Sequence, residues 1–195
     1  MKGVLVQTTL HGIEALRKIV KTGVIGINSK PLSYQPPEFK DKPIIFCSYV
    51  GGEYKGVYGL REGVIFETEA PVVYACPVDT FDLMRDGCWL PGHERFLFPS
   101  IESMLEKYPS PADFKRDFQE FFRSLTPQQV FPNSYSGDDS EYDREQRRFA
   151  EMRFETDYCR SSWWTPGCTE VTFPKPLKVK NCRVFSSPEE LEKML

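Results

Sequence analysis

Histidine is scarce in this chain of 195 residues: only His11 and His93 are present, so few imidazole-based acid–base arrangements are open to it. No Gly-rich phosphate loop, no G-x-S-x-G elbow and no H-E-x-x-H pair occurs. The six cysteines (Cys47, Cys76, Cys88, Cys159, Cys168, Cys182) never come closer than nine positions. Structural zinc sites draw on pairs roughly two to four residues apart, so no metal is expected and the thiols are read as reduced and mostly buried. No apolar run approaches the roughly 20 residues that cross a bilayer, so no membrane partner is expected. Met1 and Lys2 lead into a short strand-like stretch without an apolar signal segment, and the expected location is cytoplasmic. A net charge of −3 gives no whole-chain footprint for duplex nucleic acid, although one basic cleft can sit on an acidic protein.

What is present suits a folded core. Hydrophobic residues make up 40% and aromatics 14%, and the length fits a single domain spanning 1–195. Val4-Leu5-Val6 reads as a first strand. A helix follows, with Ile13, Leu16, Ile19 and Val20 on one face and Glu14, Arg17, Lys18 and Lys21 on the other, stopping at Gly23. A proline-rich loop from Pro31 to Pro43 leads to three strand candidates, 43–50, 63–69 and 71–78. Phe114, Phe118, Phe121 and Phe122 stand at helical spacing in a central stretch punctuated by Pro109, Pro111 and Pro127. Residues 133–140 are turn-like, and 141–157 alternate in charge as a solvated helix does. Two late strands, 169–173 and 182–185, precede a short terminal helix from Pro188. Strands and helices segregated in this way predict an α+β fold.

Two stretches carry a family resemblance. Thr8-Thr9-Leu10-His11-Gly12, followed by an amphipathic helix closing at Gly23, is similar to the opening of ADP-ribosyltransferases, where a histidine ends the first strand. Near the other end, Ser161-Ser162-Trp163-Trp164-Thr165-Pro166-Gly167 and then Glu170 resemble that family's acceptor-recognition loop and glutamate. The segment from Thr169 to Glu189 resembles more narrowly the C-terminal end of DarT-type DNA ADP-ribosyltransferases, which are toxins of toxin–antitoxin systems.

The resemblance implies a split antiparallel sheet with flanking helices and NAD as co-substrate. It implies transfer of ADP-ribose to a macromolecular acceptor, nucleic acid ahead of protein, with release of nicotinamide. By the same resemblance Glu170 is catalytic, His11 and Gly12 hold the nicotinamide ribose, and Trp163 and Trp164 meet the acceptor. No threonine follows His11-Gly12, and Thr9 is the alternative occupant of the histidine position. Ser48 and Tyr49, with Tyr54 or Tyr58, would supply the central strand and a ring for nicotinamide, and Arg95 would meet the pyrophosphate. A second acid two positions before the glutamate marks arginine-modifying members; Cys168 stands there instead, so arginine is not the expected acceptor. An antitoxin or immunity protein is the implied macromolecular partner.

Chemistry supports a carboxylate in such a place. Departure of nicotinamide leaves an oxocarbenium-like ribose, and a neighbouring carboxylate stabilises charge that exists only near the transition state. Gly92-His93-Glu94-Arg95 is the rival cluster, with Glu94 as the alternative acid. The other readings are a protein-modifying transferase of the same fold, a non-enzymatic binding module, and a tRNA 2′-phosphotransferase. The last needs basic phosphate-binding residues that are not found near His11.

Overall fold

The computed structural model of the chain describes residues 3–8, 13–26, 35–54, 62–151 and 169–195, without the side chains of 8, 148–151 and 188. Its elements in chain order are β1 (Val4–Thr8), α1 (Ile13–Thr22), β2 (Val24–Ile25), β3 (Ile44–Val50), β4 (Gly63–Glu67), β5 (Tyr74–Cys76), β6 (Met84–Arg85) and β7 (Cys88–Trp89). There follow α2 (Ile101–Lys107), α3 (Pro111–Ser124), α4 (Pro127–Val130), α5 (Ser140–Glu151), β8 (Thr169–Pro174), β9 (Leu177–Lys178), β10 (Lys180–Phe185) and α6 (Pro188–Met194). The order is α+β, as expected.

Six strands form one sheet in the order β10-β4-β1-β3-β8-β5, and every pairing is antiparallel. The sheet is therefore one hydrogen-bonded array and not two halves; it is the cover on one face that is divided. On that face, α3 packs its phenylalanines against the β5 side, with Ile44, Tyr74 and Cys76. Leu191 of α6 packs with Val6, Ile65 and Phe185 toward the β10 side. The other face is sealed by Leu16 of α1 and Met104 of α2 over Ile45, Cys47, Val171 and Phe173.

Local chemistry explains the boundaries. Gly23 ends α1 at φ +64°, a backbone that glycine adopts cheaply, and its N–H reaches the Ile19 carbonyl at 2.8 Å. The expected strand over 71–78 shortens to Tyr74–Cys76, since Pro71 and Pro77 carry no N–H for the ladder. The central stretch is three helices: Ser110 and Thr126 cap α3 and α4, and Pro111 and Pro127 take their first turns. One element absent from the expectation is the β6–β7 hairpin. Its two-residue turn, Asp86-Gly87, has positive φ at both positions (54° and 74°). Among the described residues no helix is long and apolar enough to cross a membrane.

Candidate active site

β8 lies inside the sheet, between β3 and β5, so Glu170 is not on an edge. Thr169 and Thr172 hold β8 to its neighbours. The Thr169 hydroxyl donates to the Tyr49 carbonyl at 2.6 Å, and the Thr172 hydroxyl accepts from the Tyr74 N–H at 3.1 Å. Registers then align one residue from each strand. Arg183 faces Ile65, Ile65 faces Val6, Val6 faces Ser48, Ser48 faces Glu170, and Glu170 faces Cys76. Residues directly opposite one another share a sheet face. Ser48 and Glu170 thus stand side by side between the two hydrophobic clusters of that face.

Glu170 is buried, with 7% of its surface exposed. A buried carboxyl needs donors or a proton, and this one has several donors. The Tyr74 hydroxyl and the Thr80 hydroxyl each donate to Oε1 at 2.7 Å, and the Thr80 N–H approaches Oε2 at 3.5 Å. Thr80 opens a 3-10 turn, Thr80–Leu83, capped by Asp79, whose Oδ1 accepts from the Phe81 N–H at 3.0 Å. Burial, and then the Asp79 carboxylate, push the Glu170 carboxyl up to about 8, against the pull of the Thr80 and Tyr74 donors. The Asp79 carboxyl is also raised, by burial against the Phe81 N–H and Glu170. Asp79 keeps exposed surface, so water screens it and Glu170 is the member of the pair that holds a proton at neutral pH.

The nearby thiols offer no nucleophile. Burial, followed by the charge on Glu170, raises Cys47 far above the usual thiol range. Cys76 is raised as well, by burial foremost. Tyr74 is likewise raised by burial and by Glu170, so its phenol stays a donor.

The other expected residues distribute unevenly. Ser48 is half-buried beside Glu170. Tyr49 follows Ser48 on the strand, so it turns to the opposite face, packed in the α1 side of the core at 8% exposure. Tyr54 is fully buried there, its hydroxyl donating to the Tyr108 carbonyl at 2.9 Å. Both tyrosines thus pack in the core on the face of the sheet opposite Glu170. Arg95 pairs with Asp117 at 3.0 Å and lies over the Phe96 and Phe121 rings, so it ties its turn to α3. Thr9, His11, Gly12, Tyr58, Trp163, Trp164 and Cys168 lie outside the described residues.

The rival cluster takes in a residue from another turn. His93 is buried and its neighbour Glu94 is exposed; Glu38, from the 3-10 turn Pro37–Phe39, joins them. Sequence reading missed Asp79, Thr80, Tyr74 and Glu38 as partners. They lie 55 to 96 positions from the groups they meet, and only the folded chain brings them together. The one usable signal was Asp79-Thr80 itself, an acid before a hydroxyl residue at the end of a strand, which reads as a turn cap. No family model, curated protein or solved structure matches the chain.

Proposed function

We infer that the chain is an NAD-consuming transferase that moves ADP-ribose to a macromolecular acceptor, with Glu170 as its catalytic carboxylate. One observation carries this reading: a buried glutamate on an interior strand, its carboxyl in a nest of hydroxyls, with Ser48 opposite it on the adjoining strand. In addition, β1, β3 and β8 are consecutive in the sheet, so the chain leaving β1 toward His11 starts two strands from Glu170.

A ribose diol presents donors and acceptors together, and Ser48, Thr80 and Glu170 form a matching set. The ionised Glu170 accepts a hydrogen bond from the 2′-hydroxyl of the nicotinamide ribose. The bond between C1′ and the pyridinium nitrogen breaks, its electron pair leaves with nicotinamide, and positive charge spreads over the sugar. An acceptor atom then bonds to C1′, and Glu170 takes the proton that it releases. Burial strengthens the carboxylate's effect on that charge, because little water competes. His11, or Thr9 in its place, and Gly12 would complete the nicotinamide side, and Trp163 and Trp164 suit stacking on an unpaired base.

The test is incubation of the purified chain with labelled NAD and single-stranded DNA, RNA or a protein extract. Nicotinamide should be released, with label lost to nuclease and kept after protease. Glu170→Gln, nearly the same shape, should lower turnover by about 10²–10³-fold or more, the usual loss when a group acting on transition-state charge is removed. Undiminished turnover in a folded Glu170→Gln variant would sink the assignment. Label surviving nuclease and lost to protease would move the acceptor to protein.

A further inference from the structure

Apart from the Glu170 site, the described residues gather one set of nitrogen and carboxylate donors, Glu38, His93 and Glu94, with ligand atoms within 4.8 Å of one another. Exposed acids alone would mean little, but the histidine between them is 7% exposed. Its ring is fixed on both sides. The Trp89 ring lies against it at 4.9 Å, and Nδ1 is 3.0 Å from the Leu90 carbonyl oxygen. A carbonyl oxygen only accepts, so Nδ1 carries the hydrogen. In a neutral ring Nε2 is then a bare lone pair.

That lone pair has no hydrogen-bond partner among the described residues, and it faces Glu38 Oε1 at 3.4 Å. A lone pair against a carboxylate is repulsive unless something positive lies between them. A bridging proton would draw the atoms to about 2.7–2.9 Å, the usual charge-assisted N–H···O distance. A tetrahedral ion with bonds of about 2.0–2.2 Å to nitrogen and oxygen sets its ligand atoms roughly 3.4 Å apart. The observed separation matches that spacing and is longer than a charge-assisted hydrogen bond. A histidine that donates its second N–H to a backbone carbonyl is also the usual arrangement of a metal-bound imidazole.

We propose that Glu38, His93 and Glu94 bind a divalent cation of the zinc class, through His93 Nε2 and Glu38, with the exposed Glu94 carboxylate, whose Oε2 lies 3.7 Å from Nδ1, swinging round as the third ligand. One nitrogen and two carboxylate oxygens suit such a borderline ion better than calcium or magnesium, which prefer all-oxygen sets. With three protein ligands the fourth position is left to water or a ligand. The cation would tie the Pro37–Phe39 turn to the turn holding His93.

Equilibrium dialysis of the whole chain against Zn²⁺, with a thermal melt of the same samples, tests the site. One zinc per chain should bind and raise the melting temperature. Glu38→Gln changes a residue with an exposed side chain and should leave the fold intact by circular dichroism while weakening zinc at least tenfold. His93→Gln should remove binding altogether. Zinc bound equally by Glu38→Gln and the parent chain would overturn the proposal by placing the ion elsewhere, on the cysteines for example. Absence of bound zinc at millimolar concentration, with NMR showing His93 protonated at Nε2, would overturn it in favour of a buried ion pair.

Discussion

A carboxyl at an interior strand position must find donors or keep its proton, and Glu170 does both. Its folded-state pKa of about 8 lies above the unfolded value of 4.5. The folded chain therefore binds the proton more tightly. The stability this contributes is complete below pH 4.5, declines as pH rises through about 8, and is absent above it. The size is on the order of a few kcal/mol. The melting temperature should fall between pH 5 and 9 in the parent chain and change much less in Glu170→Gln, with Asp79 supplying a smaller slope of the same sign. An equal slope in both proteins would assign the effect to another group. In the proposed mechanism turnover needs the ionised carboxylate, so it should climb over the same interval, through about pH 8. The proposed activity and the stability would thus be set against each other at a single side chain.

At the scale of elements, α3 has the most to lose from a small change. Phe118 is 1% exposed and meets the rings of Phe96, Phe114, Phe121 and Phe122 at 5.5 to 6.2 Å. Phe118→Ala should cost about 3–5 kcal/mol, since the packed rings around it collapse only in part. Val20, on the nominal apolar face of α1, is 44% exposed, and Val20→Ala should stay within about 0.5 kcal/mol. Urea denaturation of the two variants separates these outcomes. The pair also marks what the sequence made legible. Period alone located α1 and α3, Ser187-Pro188 located the start of α6, and the strand around Glu170 was evident from its residues. Period could not say that Val20 would face water while Leu16 on the same face is buried. The Asp86-Gly87 turn is readable by its chemistry, but the two-residue strands beside it are too short to show a period. The hydroxyls around Glu170 were illegible for another reason: Tyr74 and Thr80 reach it through the β5–β8 register, which no local pattern encodes.

For the molecule as a whole, the decisive fact is where late strands enter. β8 occupies the slot between β3 and β5, while β10 closes the far edge on β4. Removing residues 169–195 would leave β4-β1-β3 as one fragment of sheet and β5 without a partner strand. It would also strip cover from Tyr74 and Thr80. A chain cut after Cys168 should lack a cooperative thermal transition and bind a hydrophobic dye, measured by calorimetry and fluorescence. A sharp transition in that fragment would show that the earlier elements fold without β8.

The same insertion sets a clock. A ribosome delivers this chain from the first residue onward, and every strand but the last three can emerge before the glutamate exists. Until then the slot beside β3 presents bare backbone donors and acceptors, a surface on which a chaperone or a second nascent chain could pair. The proposed carboxylate enters with the strand that closes the slot. On the proposed function a half-made molecule is consequently sticky but chemically silent, and its activity begins only when the sheet is whole.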